Sequence, residues 1–308
     1  MTHSFIKMFE RCYHNTFPAI HHSTSGIEVW SNCHYKEIMD SYLEERSRAF
    51  NEGSTFSCPD SCERYGCQEL DLHITISLVD LIAISITSGR RASDLFKDHC
   101  KLGFDPLDEK EPWIGRLTVE LRKPCSFLDG KKCGVYAGRP LACALFPEAF
   151  FVIEDGETAF QKDIFRKFPC VRTRVPVSPE RSKVLQQLMQ MSRREMFLSD
   201  FYLFGISPLI IDLKNVAGEG LEGIDVSAGE RVKLPHARLE HLLEKRLLGG
   251  ETLDEWQIKI CQLDTLAGIE AFWKMKPWVD QLVTMGSNLI GLAHQFDGSR
   301  LRPLRFRR

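Results

Sequence analysis

Cysteine is the residue type in this sequence with the clearest chemistry. The chain has 308 residues and 11 cysteines. Eight of the 11 lie in one segment, at positions 58, 62, 67, 100, 125, 133, 143 and 170. Thiolates hold zinc and iron–sulfur clusters in proteins. Clustered thiols in a reducing compartment bind metal or do redox chemistry more often than they form structural disulfides. The segment is therefore predicted to contain a metal centre or a redox site.

Three of these cysteines lie close together, in the sequence Cys58-Pro-Asp-Ser-Cys62-Glu-Arg-Tyr-Gly-Cys67. If Cys58 to Cys62 forms one helical turn, both thiols lie on the same side of it. Gly66 permits the left-handed backbone that would return Cys67 towards them. The spacing is not that of a common zinc finger. We predict a three-point clamp of thiols here.

A hairpin is predicted around Asp129-Gly130, because this pair lies between apolar runs and is typical of a type I′ turn. Such a hairpin would bring Cys125 and Cys133, on its two arms, near each other. The same stretch therefore supplies two further thiols to the predicted centre.

A short helix is predicted to follow Arg139-Pro140 and to end at Pro147. Cys143 would lie in its first turn, where the helix dipole and unpaired N–H groups favour a thiolate. Cys170, after Phe168-Pro169, is placed to return to the same centre. Cys12, Cys33, Cys100 and Cys261 are isolated and are predicted to be ordinary cysteines.

Basic residues lie beside the cysteines in sequence. Four thiolates around Zn²⁺, or around an oxidised four-iron cluster, leave a charge of about −2, and nearby cations make such a site easier to tolerate. The candidates are Arg64, Arg122, Lys123, Lys131, Lys132 and Arg139. Each could also be an ordinary solvated charge of the hairpin.

Helices are expected on both sides of the cysteine segment. One is predicted at about 35–50 and is broken at Gly53-Ser54-Thr55. Within the segment, a short strand at His73-Ile-Thr-Ile precedes a helix that begins after Ser77, with Asp80 as its capping partner, and ends at Gly89. The other helices are predicted at about 179–204, 235–247, 252–275 and 277–295, with a glycine-rich stretch at 218–229.

The fold class predicted from this pattern is mainly α, with an α+β cysteine module. Three regions are expected: an irregular N-terminal segment and helix (1–50), a cysteine-cluster metal-binding module (51–175), and a helical C-terminal region (176–308) with a basic tail. Ser178 and Pro179 provide the start signal of the first C-terminal helix. The tail carries five arginines; such an end is more often merely solvated, and contact with phosphate or an acidic protein is the alternative.

Composition narrows the class of protein further. Lys+Arg number 40 and Asp+Glu 42, so the formal net charge is −2. This balance gives no reason to expect nucleic acid or a membrane as partner, and a protein partner stays open. The N-terminus lacks a continuous apolar signal segment, and no apolar run reaches the roughly 20 residues that cross a bilayer. A cytoplasmic location is therefore expected.

The cysteine pattern resembles the CxxCxxCC, or YkgJ-like, family of zinc- or iron-chelating cysteine-cluster proteins. The resemblance covers about residues 55–175 and is most specific in PCSFLDGKKCGVYAGRPLACALFP. It implies a bound iron–sulfur cluster, as the first expectation, or zinc. The metal-ligand candidates are Cys58, Cys62, Cys67, Cys125, Cys133, Cys143 and Cys170. The family has an adjacent Cys-Cys pair where Gln68 follows Cys67 here, so His73 or Cys170 could replace a ligand.

Function follows less directly from this resemblance. The first hypothesis is an accessory protein with a structural or electron-transfer centre. The second is an S-adenosylmethionine-dependent lysine N-methylase, because flagellin lysine-N-methylases share the module. The third is a helical partner-binding protein with structural zinc. Gly218-Glu-Gly-Leu-Glu-Gly223 has the spacing of a nucleotide loop and follows a strand-like apolar run, Leu209-Ile-Ile-Asp-Leu. The residues after it do not indicate a helix, which favours an ordinary loop.

Overall fold

The computed structural model describes ten stretches of the chain: residues 35–59, 61–70, 72–106, 114–152, 168–172, 176–204, 209–212, 258–276, 294–296 and 301–303. The chain divides into two compact units. We call Glu37–Lys101 with Glu120–Glu195 the cysteine unit. We call Met1–Lys36, Leu102–Val119 and Met196–Arg308 the sheet unit. All seven predicted metal ligands belong to the cysteine unit.

The described elements up to the hairpin are four helices followed by four strands. In chain order they are α1 (Tyr35–Ala49), α2 (Tyr65–Gln68), α3 (Leu78–Ser88), α4 (Ala92–His99), β1 (Cys100–Pro106), β2 (Ile114–Leu121), β3 (Leu128–Asp129) and β4 (Lys132–Cys133). The predicted helix at 35–50 is α1. The predicted strand at His73 is reduced to an isolated bridge between Thr75 and Glu120.

The later described elements include four short helices and one long one. They are α5 (Leu141–Leu145), α6 (Glu148–Val152), α7 (Pro169–Arg172), α8 (Pro179–Phe204), β5 (Leu209–Asp212), α9 (Leu266–Trp273), β6 (His294–Phe296) and β7 (Leu301–Pro303). Helix α8 has the predicted bounds, and the Arg181 N–H donates to Ser178 Oγ at 3.1 Å as a cap.

Helix α3 is the buried centre of the cysteine unit. Its first seven residues, Leu78–Ile84, are all buried and all except Asp80 are apolar, as is typical of a core helix. The predicted start signal is present as a full capping box: Ser77 Oγ accepts the Asp80 N–H, and the Asp80 carboxylate accepts the Ser77 N–H. Gly89 ends the helix in the left-handed conformation.

A second cluster of buried side chains joins three helices of the cysteine unit. Phe50, at the end of α1, packs with Leu141 and Ala144 of α5 and with Leu188 of α8. The short helix that carries Cys143 is therefore anchored on its apolar side, while Cys143 itself stays half-buried.

A five-stranded sheet is the main feature that the sequence did not predict. Its strand order is β1-β2-β5-β6-β7. Strand β5 pairs antiparallel with β2 (Ile114 with Asp212) and parallel with β6 (Leu209 with His294). The broad expectation of a mixed, mainly helical chain is confirmed, but strands outside the cysteine segment were not expected apart from the apolar run at β5.

Two predicted helices near the C-terminus are wrong where the structure describes them. Residues 294–295, expected to be helical, lie in β6, because pairing with β5 and β7 outweighs local propensity. The single helix expected at 252–275 is interrupted after residues 258–262, and Thr265 caps a new helix, α9, by accepting the Gly268 N–H. The predicted helix at 235–247 and the glycine-rich stretch at 218–229 lie outside the described residues.

Among the described residues, no helix combines the length and the apolar character that a membrane span requires.

Candidate metal centre

The clamp segment adopts a different backbone from the predicted one. Cys58 and Cys62 do not lie on one helical turn: residues 54–59 are irregular, and the Cys62 N–H donates to Pro59 O at 2.9 Å in a tight turn. Pro59 disfavours helical backbone at the residue before it, Cys58. The left-handed residue is Arg64, with φ 56°, and not Gly66. Arg64 Nε donates to Lys131 O at 2.8 Å, which fixes this turn from the hairpin side.

The predicted hairpin is present, with its turn one residue further along the chain. Leu128 pairs with Cys133 and Asp129 with Lys132, so the two turn residues are Gly130 and Lys131. Of these only Gly130 has a positive φ, of 56°. That pattern is typical of a type II′ turn, in which glycine occupies the first central position, and the predicted type I′ turn is wrong.

The clamp and the hairpin contact each other through their backbones. The Cys125 N–H donates to Cys67 O at 2.8 Å, and Lys123 Nζ donates to Gly66 O. Gly66 also lies against the ring of Phe146, which follows α5: a Cβ at Gly66 would be 3.6 Å from that ring. Segments that are distant in sequence therefore meet around Cys67.

Cys143 lies in the first turn of α5, as predicted. Pro140 caps the helix, and the Cys143 N–H donates to Pro140 O at 2.9 Å. The expectation that the helix terminus would favour a thiolate here is wrong for the metal-free chain. Burial raises the pKa of the Cys143 thiol far above its ordinary value, and the nearby Lys123 lowers it only in part.

Four of the predicted ligands form what we call the four-sulfur group: Cys67, Cys125, Cys133 and Cys143. Burial raises the pKa of Cys67 to about 11, and the charges of Cys125 and Cys133 raise it further. Burial likewise raises the pKa of Cys133, with Cys125 adding to it. Cys67 and Cys125 raise the pKa of Cys143 in the same way. The thiolates of Cys67, Cys125 and Cys133 would each oppose the ionisation of another member of the group, as like charges at one site do.

The remaining three ligands form a neighbouring three-sulfur group: Cys58, Cys62 and Cys170. Burial raises the pKa of Cys170 to about 11, and the charges of Cys58 and Cys62 raise it further. Phe168 packs against the clamp segment. The centre of its ring lies 5.9 Å from that of Tyr65 and 5.8 Å from that of Phe146. The charge of Cys58 also raises the pKa of Cys67, which links the two groups.

Three cations lie against these sulfurs. Lys123 lowers the pKa of Cys67 and of Cys143, and Arg139 lowers that of Cys133, each opposing the larger effect of burial. Arg64 has the same effect on Cys58. Of the six basic residues singled out in the sequence, three therefore face sulfurs of the two groups.

Two of these guanidinium groups have a buried nitrogen that finds no hydrogen-bond acceptor among the described residues. These nitrogens are Arg64 Nη1 and Arg139 Nε. The Arg139 guanidinium lies 3.8 Å from the centre of the Tyr136 ring. Buried N–H donors without acceptors are costly, and metal-bound thiolates would supply the missing negative charge beside them. The donor set and the cations therefore fit an anionic metal–thiolate centre.

Within the described part of the chain, no three cysteine, histidine or carboxylate side chains are arranged closely enough to hold a metal ion. Binding would therefore require sulfurs of the four-sulfur group to turn towards a common point. All nine described cysteines are free thiols, and none of them forms a disulfide.

The other candidate residues have separate surroundings. His73, a possible replacement ligand, pairs through Nδ1 with Glu120 Oε2 at 2.6 Å. Cys100 is buried, and burial raises its pKa to about 12. Cys261 is exposed. Cys12, Cys33 and the Gly218–Gly223 loop lie outside the described residues.

A buried polar network beside α5 was not predicted. It joins Arg46, Asp80 and Glu195, and Asp80 accepts a hydrogen bond from the first residue of α5. The sequence identified Asp80 only as a helix cap. No spacing signal relates it to Arg46 and Glu195, which lie far away along the chain.

Comparison with known families gives a match over most of the cysteine segment. Residues 57–169 match the CxxCxxCC family, described as a proposed zinc- or iron-chelating domain. The matched segment includes six of the seven candidate ligands and ends one residue before Cys170. No curated protein and no solved structure matches the chain.

Proposed function

We propose that the chain is a metal-binding protein whose four-sulfur group, Cys67, Cys125, Cys133 and Cys143, holds an iron–sulfur cluster or a zinc ion. The observation that carries this proposal is the convergence of clamp, hairpin and α5, centred on the hydrogen bond from the Cys125 N–H to Cys67 O. Four thiolates complete the coordination of one zinc ion or of one cluster. The three-sulfur group is then a separate set of thiols.

The cations explain how a charge of about −2 would be accommodated there. Lys123 faces Cys67 and Cys143, and Arg139 faces Cys133. In the metal-free chain the raised pKa values of Cys67, Cys133 and Cys143 keep these three thiols protonated near neutral pH. Metal binding would release their protons, so affinity should increase with pH.

The proposed role is that of an accessory protein with a structural or electron-transfer centre. A closed set of four thiolates leaves no open position for a substrate, which is typical of such centres. This role implies a protein partner. We place the protein in the cytoplasm, where clustered thiols stay reduced. Nothing in the described residues favours the methylase alternative.

Anaerobic purification followed by metal analysis and absorption spectroscopy tests the proposal. An iron–sulfur centre gives broad absorbance at about 400 nm, whereas zinc is colourless. We expect Cys125→Ser to lose the metal and Cys170→Ser, as the matched control from the three-sulfur group, to retain it. Metal-free wild-type protein, or equal retention by both variants, would refute the proposed ligand set.

A further inference from the structure

A buried network of charged side chains joins three helices of the cysteine unit and contacts the start of α5. Arg46 of α1, Asp80 of α3 and Glu195 of α8 are 1%, 3% and 2% exposed. Arg46 Nε donates to Glu195 Oε1 at 3.0 Å, and Arg46 Nη2 donates to Asp80 Oδ1. Tyr42 and Ser77 each donate a hydroxyl hydrogen bond to Glu195 at 3.0 Å. Buried charges of this kind must be held by partners in fixed geometry.

The network reaches the start of α5 at two backbone positions. Asp80 Oδ1 accepts the Leu141 N–H at 2.9 Å, and Arg46 Nη1 donates to Arg139 O at 3.4 Å. These two contacts lie on either side of Pro140, which caps the helix. Cys143 follows within the same turn and is hydrogen-bonded to Pro140 O. The backbone from which Cys143 projects is therefore fixed by side chains of α1 and α3.

Helix capping alone does not explain this arrangement of Asp80. One carboxylate oxygen, Oδ2, accepts the Ser77 N–H at 2.8 Å and completes the capping box. The other, Oδ1, accepts from Leu141 and from Arg46. A cap of α3 does not require Oδ1 to bind a different helix, and it does not require burial of the charge.

We propose that Asp80, held in place by Arg46 and Glu195, is a positioning residue for Cys143. It fixes the entry to α5 so that the Cys143 sulfur stays within the four-sulfur group. This inference rests on the proposed function and deepens it, because it assigns to that metal centre a supporting residue that is not a ligand. Partners that orient ligands in this way typically change metal affinity by 10–100-fold when they are mutated.

The cysteine unit offers a matched control in a second buried ion pair. Arg181, also 1% exposed, donates to Glu148 Oε2 at 2.7 Å and to the carbonyl oxygens of Ala49, Phe50 and Glu52. Like the Arg46 network it joins three helices, in this case α1, α6 and α8. It makes no hydrogen bond to α5 among the described residues. Loss of this ion pair should therefore destabilise the fold without changing the backbone position of Cys143.

The test compares Asp80→Asn with Glu148→Gln in the full chain loaded with Co²⁺. Asparagine offers one oxygen and one NH₂ group, so it cannot accept both the Leu141 and the Ser77 N–H. We expect Asp80→Asn to weaken Co²⁺ binding at least about 10-fold in competition with a chelator, and to shift the thiolate-to-cobalt absorption bands. Glu148→Gln should leave the Co²⁺ affinity and the absorption bands unchanged within the experimental error of the wild-type measurement.

A milder variant and a metal-free measurement complete the test. Arg46→Lys keeps the charge but loses the contact with Arg139 O, so it should weaken Co²⁺ binding in the same direction by a smaller factor. It takes the place of Asp80→Asn in the test if that variant does not fold. In the metal-free chain, alkylation of Cys143 by iodoacetamide should be faster in Asp80→Asn than in Glu148→Gln.

The outcomes separate the two proposals. If the wild type gives no thiolate-to-cobalt bands and shows no iron–sulfur absorbance after anaerobic purification, the proposed function is refuted, and the alkylation rates still test the positioning role. Unchanged Co²⁺ affinity and spectrum in Asp80→Asn, or unchanged alkylation in a chain that binds no Co²⁺, would overturn the inference.

Discussion

Replacing Glu195 by glutamine is expected to change how the stability of the chain depends on pH. Glu195 is 2% exposed, and it shares the single guanidinium of Arg46 with a second carboxylate, Asp80. Burial raises the pKa of Glu195 from 4.5 to about 7; Arg46 opposes this effect and Asp80 adds to it. The native state therefore holds this proton more tightly than the unfolded chain does.

The size and sign of the effect follow from linkage between folding and proton binding. A rise in pKa from 4.5 to about 7 corresponds to about 3 kcal/mol. This stabilisation is complete below the unfolded-state pKa of 4.5 and is lost as pH rises through about 7. Glutamine has no proton to lose, so the variant does not suffer this loss.

Urea unfolding of both proteins between about pH 5 and pH 8 measures the effect. The free energy of unfolding of Glu195→Gln, taken relative to the wild type, should rise with pH by on the order of 3 kcal/mol. Leu185→Ala provides a control in the same helix, because Leu185 is fully buried and its loss leaves a cavity that does not titrate. A difference between Glu195→Gln and the wild type that stays constant with pH would refute the account of this network.

Three further predictions concern stability. Gly138→Ala should lower the free energy of unfolding by more than about 2 kcal/mol in urea titrations. The new Cβ would lie 2.8 Å from the Ala83 carbonyl carbon and closer still to Thr87 Oγ1, and a neutral result would contradict this packing. Arg181→Met leaves the buried Glu148 carboxylate without its cation and should cost about 3–5 kcal/mol by the same assay; a loss below about 1 kcal/mol would count against a buried pair. Removing the metal with a chelator should lower the melting temperature in calorimetry, because ligand binding stabilises the native state; an unchanged temperature would argue against a bound metal.

Local signals predicted the parts of the fold that local chemistry decides. Ser77 and Asp80 cap α3, and Gly89 ends it, because each makes its hydrogen bond or adopts its φ within a few residues of its position. The start of α8 is similar, since Ser178 caps it and Pro179 is its first residue. Such signals need no knowledge of the rest of the chain.

Features that depend on distant residues could not be predicted in the same way. Arg64 adopts its left-handed backbone while its guanidinium binds Lys131 O, a partner 67 residues away. Arg46 and Glu195 are 149 residues apart. The sheet is formed by strands of three to eight residues, and β2, whose apolar residues alternate as in a strand, could have indicated it.

The candidate site was predicted in composition but not in arrangement. Residue type and clustering singled out the seven cysteines, and the family match covers six of them. Spacing alone did not indicate that Cys67 would join the hairpin thiols while Cys58 and Cys62 would join Cys170. That division depends on the hydrogen bond from Cys125 to Cys67 and on the packing of Phe168 against Tyr65.

X-ray absorption spectroscopy at the metal edge of the anaerobically purified protein tests the central claim most directly. The account predicts a first shell of sulfur at about 2.3 Å, with four sulfurs per zinc if the metal is zinc. It also predicts that Cys143→Ala loses metal or sulfur from this shell, whereas Cys261→Ala, which removes an exposed cysteine of the sheet unit, leaves it intact. A first shell of nitrogen and oxygen, or identical spectra for the two variants, would contradict the account.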